Sequence, residues 1–231
     1  MGSHEKNGKL LELPMYSAAE ASRLVGLSSA RIHRWLQGYS YEYGSRIHSQ
    51  LPVIKRTGNS RTSYASFLDL VDLLFAKKFV DHGISLQKVR KALDEARDIL
   101  HTEHFARRIF FTDGKNIYLK VQEKGEAILQ LLSHGQWVIP QVIKELADQI
   151  EFDQPSGLAR RWYPLGTKGL IVLDPYICFG RPTIVGKGVD TLNVYDLFVA
   201  ENREATAVSR WLSLTTQEVE AAVKFEQKLA A

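Results

Sequence analysis

Two stretches of this chain carry the same punctuation, and that repetition limits the fold more than any other feature. Residues 22–32, Ser-Arg-Leu-Val-Gly-Leu-Ser-Ser-Ala-Arg-Ile, line up with residues 209–219, Ser-Arg-Trp-Leu-Ser-Leu-Thr-Thr-Gln-Glu-Val. In the first copy Ser17 stands three residues before Glu20, the spacing of a capping box, so a helix starts there. Ala18, Ala21, Leu24 and Val25 recur at the spacing of one buried face. Gly26 takes a positive φ without steric cost and ends the helix. Leu27 then turns inward, and Ser28 or Ser29 caps a second helix running to about Gln37. Its apolar side is Ile32, Trp35 and Leu36; its outer side is Ser29, Ala30, Arg31, His33 and Arg34.

Two short helices joined by a tight turn hold the second clear of the body, so that its first half enters a DNA major groove. Short side chains at its start permit close approach, and the helix N-terminus favours phosphate. Ser28, Ser29, Arg31, His33 and Arg34 are therefore the candidate DNA-binding residues, with the two arginines able to reach phosphates or guanine edges. A hairpin is expected next. Pro52–Arg56 and Thr62–Tyr64 flank a turn-rich stretch, Thr57–Arg61, which would place Lys55, Arg56 and Arg61 at the tip of a phosphate-contacting wing. Charge agrees with this placement. Residues 14–66 hold seven Arg or Lys against two acids, whereas residues 109–231 hold thirteen basic and fifteen acidic residues.

Beyond the wing, Ser66 starts a long apolar helix through Lys78, His82-Gly83-Ile84-Ser85 breaks it, and Ser85 caps another (Leu86, Val89, Ala92, Leu93, Ala96, Ile99). Asp113-Gly114 between two β-rich runs signals a hairpin, and a helix through Val142 to Ile150 follows. Leu170–Leu173 reads as a strand, residues 174–184 as a loop, and Leu192–Glu201 as a helix. The fold class is thus α+β, mainly α. Residues 1–13 read as a cloning remnant or flexible N-terminus, 14–100 as a winged helix-turn-helix, 101–157 as a middle hairpin-plus-helix segment, and 158–231 as a helical domain. A single cysteine, Cys178, excludes an internal disulfide framework and fits a reducing cytosol. No apolar run reaches the roughly 18 residues of a membrane span, and the N-terminus lacks the core of a signal peptide, so no membrane partner and a cytoplasmic location are expected.

The second copy differs from the first in charge. Thr215 and Glu218 form another capping box, but the outer face shows Glu218, Glu220 and Glu226 against Lys224. Like charges facing phosphates cost energy, which assigns this copy to protein contact, with Trp211, Val219 and Phe225 as candidates for a dimer or other protein interface. The four tryptophans, Trp35, Trp137, Trp162 and Trp211, are spread out and otherwise read as core. Enzymatic features are weak. His101 and His104 stand at i, i+3 without a third metal ligand at a typical spacing, so a capped or surface histidine is expected. Cys178 has no histidine base beside it, and flanking Ile177 and Phe179 argue for a buried structural thiol. There is no Walker loop and no dinucleotide fingerprint, so no cofactor is expected and the chain is not read as an enzyme.

The pattern Phe67-x-Asp69-Leu70 … Gly83-Ile84-Ser85-Leu86-x-x-Val89-Arg90, with Tyr16-Ser17 … Glu20 … Gly26-Leu27-Ser28, resembles the winged MerR-type DNA-binding domain over roughly residues 14–100. The long dimerising coiled coil usual in that family does not follow. A second resemblance rests on Asp174-Pro175 … Phe179-Gly180-Arg181-Pro182-Thr183-Ile184, the Val189-Asp190-Thr191 turn, and Trp211-Leu212 … Val219-x-x-Ala222-Val223-x-Phe225-Glu226. Together these parts, in this order, resemble VapB-type antitoxins of toxin–antitoxin modules from about residue 14 onward. That resemblance implies a PIN-domain ribonuclease toxin as partner, repression of the chain's own operon through operator DNA, and a homodimer or larger hetero-assembly. Because PIN-type nucleases cluster carboxylates, an arginine in a loop-like context would compete there for metal or phosphate; Arg160, Arg161 and Arg181 are the toxin-binding candidates. The alternative is a MerR-like transcriptional regulator answering a small ligand through its middle segment.

Overall fold

The structure is a computed structural model that describes residues 10–56, 64–100, 104, 145–154 and 156–230. The chain divides into two compact units, residues 1–147 with 152–159, and residues 148–151 with 160–231. The fold is α+β and mainly α. Among the described residues no helix is long and apolar enough to cross a membrane. The Asp113-Gly114 hairpin, Trp137 and most of the helix expected to end at Ile150 lie outside the described residues; of that helix, 145–147 are helical and Ile150 opens a strand.

The first unit is built on α1 (Ala18–Val25), α2 (Ser29–Gln37), a hairpin of β1 (Tyr39–Tyr43) and β2 (Arg46–Gln50), α3 (Phe67–Asp81) and α4 (Leu86–Leu100). Phe67, Leu68, Leu70, Val71, Leu73, Phe75 and Ala76 leave α3 apolar on every side, so it is the central helix, with α1, α2 and α4 packed on it. Val89 and Leu93 are the buried face of α4. Both first-unit capping boxes form. Ser17 accepts from Glu20 N–H and Glu20 reaches back to Ser17, and Ser66 pairs in the same way with Asp69. The N-terminal stretch is not all loose, because Leu11 and Tyr16 are buried and Tyr16 bridges Ala65.

The hairpin is not where the sequence placed it. Pro52–Arg56 forms no strand. Instead Val53 and Ile54 are buried, and their N–H groups donate to the Trp35 carbonyl at 2.8 and 3.0 Å, closing the end of α2. The strands lie earlier, joined by the two-residue turn Gly44-Ser45 with Gly44 at φ 63°.

A four-stranded sheet follows in the order β3 (Ile150–Phe152), β4 (Ala159–Trp162), β5 (Ile171–Leu173), β6 (Pro182–Ile184), with β5 and β6 wholly in the second unit. Residues 174–184 are therefore not all loop: Ile171, Val172 and Leu173 pair antiparallel with Ile184, Thr183 and Pro182. Proline is tolerated there because it opens an edge strand. Three helices follow, α5 (Thr191–Ala200), α6 (Ala205–Leu212) and α7 (Thr216–Ala230), with Val194, Val208, Val219, Ala222 and Phe225 in their common core. The expected boundary at residue 158 therefore falls inside the sheet, between its first strand and Ala159–Trp162, and three helices follow the last strand.

Candidate nucleic-acid interface and partner surface

The repeated punctuation is one turn built twice. Ser22 Oγ donates to the Leu27 carbonyl at 2.5 Å, and Ser209 Oγ donates to the Leu214 carbonyl at 2.6 Å. Gly26 (φ 71°) and Ser213 (φ 53°) both take the left-handed conformation that ends the first helix. Leu27 and Leu214 are the buried plugs, and Ile32 and Val219 are fully buried at the matching position. Ser28 accepts from Arg31 N–H at 3.3 Å, and Thr215 accepts from Glu218 N–H at 3.2 Å.

In the first copy α2 buries Ile32, Trp35 and Leu36 and leaves Ser28, Ser29, Arg31, His33 and Arg34 exposed, as the spacing required. Gly38 then turns the chain at φ 75°, where an added Cβ would lie 2.3 Å from the Gln50 carbonyl oxygen. The base of the hairpin closes on that glycine. In an antiparallel pair the residues directly opposite share a face, so Tyr39, Tyr41 and Tyr43 stand with Gln50, His48 and Arg46. His48 stacks on Tyr41 (5.4 Å between ring centres) and meets Tyr43 edge-on at 6.2 Å. The Arg34 guanidinium lies 5.3 Å over the Tyr39 ring, joining the outer face of α2 to this aromatic face. All of β1 and most of β2 are exposed, so the tyrosines are not core of this unit.

These hairpin residues were missed by sequence reasoning, although Tyr-x-Tyr-x-Tyr before Gly44-Ser45 is a hairpin signal. The expected wing residues are placed elsewhere. Lys55 pairs with Asp94 at 2.8 Å. Arg56 is largely buried, donates to the Tyr64 carbonyl at 3.0 Å and faces Asp69 at 3.8 Å. Neither lies in a strand among the described residues, and Arg61 lies outside them. His101 also lies outside them. His104 is buried rather than on the surface and contacts Asp72 at 2.9 Å. Burial opposes its charge, but the hydrogen bond to Asp72 and the charges of Asp72, Asp69 and Glu12 outweigh that and hold its pKa above the ordinary histidine value.

In the second unit Arg160 and Arg161 lie on β4, not in a loop. Arg160 is exposed. Arg161 is committed: it donates to Asp174 at 2.6 Å and contacts Glu151 at 3.3 Å, and the Asp174 hydrogen bond, opposed in part by burial, keeps its pKa raised. Asp174 is buried and also accepts from Tyr176 N–H at 2.9 Å, so Arg161 fixes the root of the turn that follows. At that turn Cys178 (φ 48°), Phe179 (φ 54°) and Gly180 (φ 74°) are left-handed in succession. For the two side-chain-bearing residues that conformation costs about 1–2 kcal/mol each. Cys178 is exposed, not buried, and donates its thiol to the Gly188 carbonyl at 3.3 Å. Phe179 is 85% exposed. The Arg181 side chain is 63% exposed, 3.5 Å from Asp190.

The expected protein-contact residues of the second copy divide. Trp211 is 71% exposed and is not core, whereas Val219 and Phe225 are buried inside the unit. Glu226 is also buried, accepting from the Thr191 hydroxyl at 2.5 Å, so the outer face of α7 is less acidic than its sequence suggested.

These features define a protein with an N-terminal helix-turn-helix and a second unit that repeats the helix-turn-helix turn. Residues 14–93 match the family model "Putative DNA-binding HTH domain", and residues 171–225 match "Protein of unknown function (DUF433)". The chain resembles VapB-type antitoxins. It is 25% identical to the "Putative antitoxin VapB45" of Mycobacterium tuberculosis over 79% of this chain and 82% of that protein. It is 27% identical to the "Uncharacterized HTH-type transcriptional regulator Rv1830" of the same organism, over 55% of this chain and 52% of that one. The crystal structure of Rv2018 from Mycobacterium tuberculosis shares the fold, with a TM-score of 0.66 at 22% identity over 92% of this chain and 99% of that one.

Proposed function

We propose that this chain is the antitoxin of a type II toxin–antitoxin module. It binds operator DNA through its first unit, represses its own operon, and neutralises a PIN-domain ribonuclease through its second. The observation that carries the DNA half is the continuous exposed surface running from Arg31, His33 and Arg34 of α2 through Arg34 onto the Tyr39–Tyr41–His48–Tyr43–Arg46 face of the hairpin. On this proposal α2 enters the major groove and the hairpin serves as the wing, with Arg46 and the tyrosine hydroxyls on phosphates. Ser28 and Ser29 leave the start of α2 open to close approach.

The antitoxin half is supported by the likeness to VapB45, which spans most of both chains. Arg160, which is exposed, and Arg181, whose side chain is 63% exposed beside Asp190, remain the arginines for an acidic nuclease site, and Arg161 is set aside as a structural ion pair. Trp211 leaves an aromatic surface for a second copy in a homodimer or larger assembly. The test is co-expression with the PIN-domain ribonuclease encoded beside this chain, followed by an RNA cleavage assay. Stoichiometric inhibition is expected. An absence of such a reading frame, or cleavage unchanged by excess chain, would discard the antitoxin half.

A further inference from the structure

We infer that Arg90 of α4 is a positioning residue for the DNA interface: it fixes the angle at which the hairpin leaves α2 and does not itself touch DNA. The inference rests on the DNA-binding half of the function proposed above. All of β1 and most of β2 are exposed, so no apolar packing holds the hairpin. A two-stranded hairpin is marginal in water by itself, so its orientation has to come from its root. Both of its ends are fixed at the end of α2. Gly38 closes on the Gln50 carbonyl, and the N–H groups of Val53 and Ile54 donate to the Trp35 carbonyl. Backbone contacts at the ends fix where such a ribbon starts. Side-chain ties on its strands fix how far it swings.

Those ties converge on one rung. Tyr39 and Gln50 stand directly opposite each other at the root of the ladder. The Arg34 guanidinium of α2 lies 5.3 Å over the Tyr39 ring, and Arg90 Nη1 of α4 donates to Gln50 Oε1 at 3.1 Å. Two helices thus grip the same rung, each with one arginine on one strand. One turn along α4, Asp94 contacts Lys55 at 2.8 Å and Arg97 at 3.0 Å, so the same helix also holds the chain that leaves β2. The fold itself gains little from Arg90. Its Nε is buried with no hydrogen-bond partner among the described residues, and a buried donor left unmade offsets what the Gln50 bond contributes. What the contact supplies is preorganisation. Arg46 and the tyrosines are held at one angle to Arg31 and His33 before DNA arrives, which leaves less ordering for the binding step. A direct phosphate contact by Arg90 is disfavoured, because its side chain is half-buried and turned onto Gln50, whereas Arg46 is exposed.

The test is a double-mutant cycle on the full chain, read by titration of its own promoter duplex. Arg90→Met keeps the aliphatic stem and removes the donor. Gln50→Leu removes the acceptor from the other side and changes no charge. The expected result is a promoter affinity weakened about 5-fold or more by each substitution, no further loss when the two are combined, and an unchanged melting temperature in all three variants. Weaker binding by Arg90→Met with native-like binding by Gln50→Leu would overturn the inference, by making Arg90 a charge that acts on DNA directly. Losses that multiply in the double variant would overturn it too, because two residues acting through one contact do not add. So would native affinity in both single variants, or a fall in melting temperature that matches the fall in affinity and assigns the contact to the fold. In each of these cases the native chain still binds the promoter and the proposed function stands. A native chain that does not bind the promoter would remove the DNA half of that function and the inference together.

Discussion

Gly38 shows how much one atom decides here. Its φ of 75° and the 2.3 Å that would separate a Cβ from the Gln50 carbonyl both demand glycine. Gly38→Ala is expected to lose roughly 2–4 kcal/mol, combining left-handed strain with a clash against backbone. Thermal denaturation would read the loss, and promoter binding should fall with it because the hairpin base no longer closes. His104 makes a second prediction. Its folded pKa lies above 6.5, so below about pH 6.5 its charge is present in both folded and unfolded chains and the pairing with Asp72 contributes in full. As pH rises through the folded value the proton is lost and that stabilisation disappears. Urea midpoints of the native chain should fall over that window, and His104→Ala should flatten the fall. An unchanged slope in the variant would detach His104 from it.

At the scale of elements, both helix-turn-helix copies could be read from the sequence because their turn is made locally. A serine hydroxyl, a left-handed residue, a leucine plug and a hydroxyl cap sit at fixed spacing, and the structure forms each of these contacts twice. The hairpin was less legible because neither face is buried. Alternation in Tyr39-Ser40-Tyr41-Glu42-Tyr43 does signal a strand, but its partner, Arg46–Gln50, is polar apart from Ile47 and sends no such signal. Val53 and Ile54 sent the wrong signal, since they are buried by capping Trp35 rather than by pairing in a sheet. Glu226 was misjudged from its charge, although it stands seven residues after Val219 and four after Ala222, on the buried stripe of α7. The hairpin now carries its own prediction. Arg46→Ala should lower the salt dependence of promoter binding by about one phosphate contact, with little change in sequence preference. Fluorescence titration over a salt series measures both.

At the scale of the whole molecule, the two units use the same turn for different surfaces. The first sets cations and aromatic rings on one exposed face, from Arg31 to Arg46. The second buries the corresponding Val219 and Phe225 and presents instead a strained turn with Phe179 outermost. On the function proposed above, the contrast divides DNA and partner binding between the units, which would make the two separable by mutation. The most direct measurement is titration of the chain's own promoter duplex with native protein and with the Arg31→Ala/Arg34→Ala variant, each checked for inhibition of the PIN-domain ribonuclease proposed as its partner. The account predicts that each arginine contributes about 1–3 kcal/mol of DNA affinity, so the variant releases the promoter while still inhibiting the ribonuclease. Promoter binding equal in native and variant proteins, or absent from both, would contradict it.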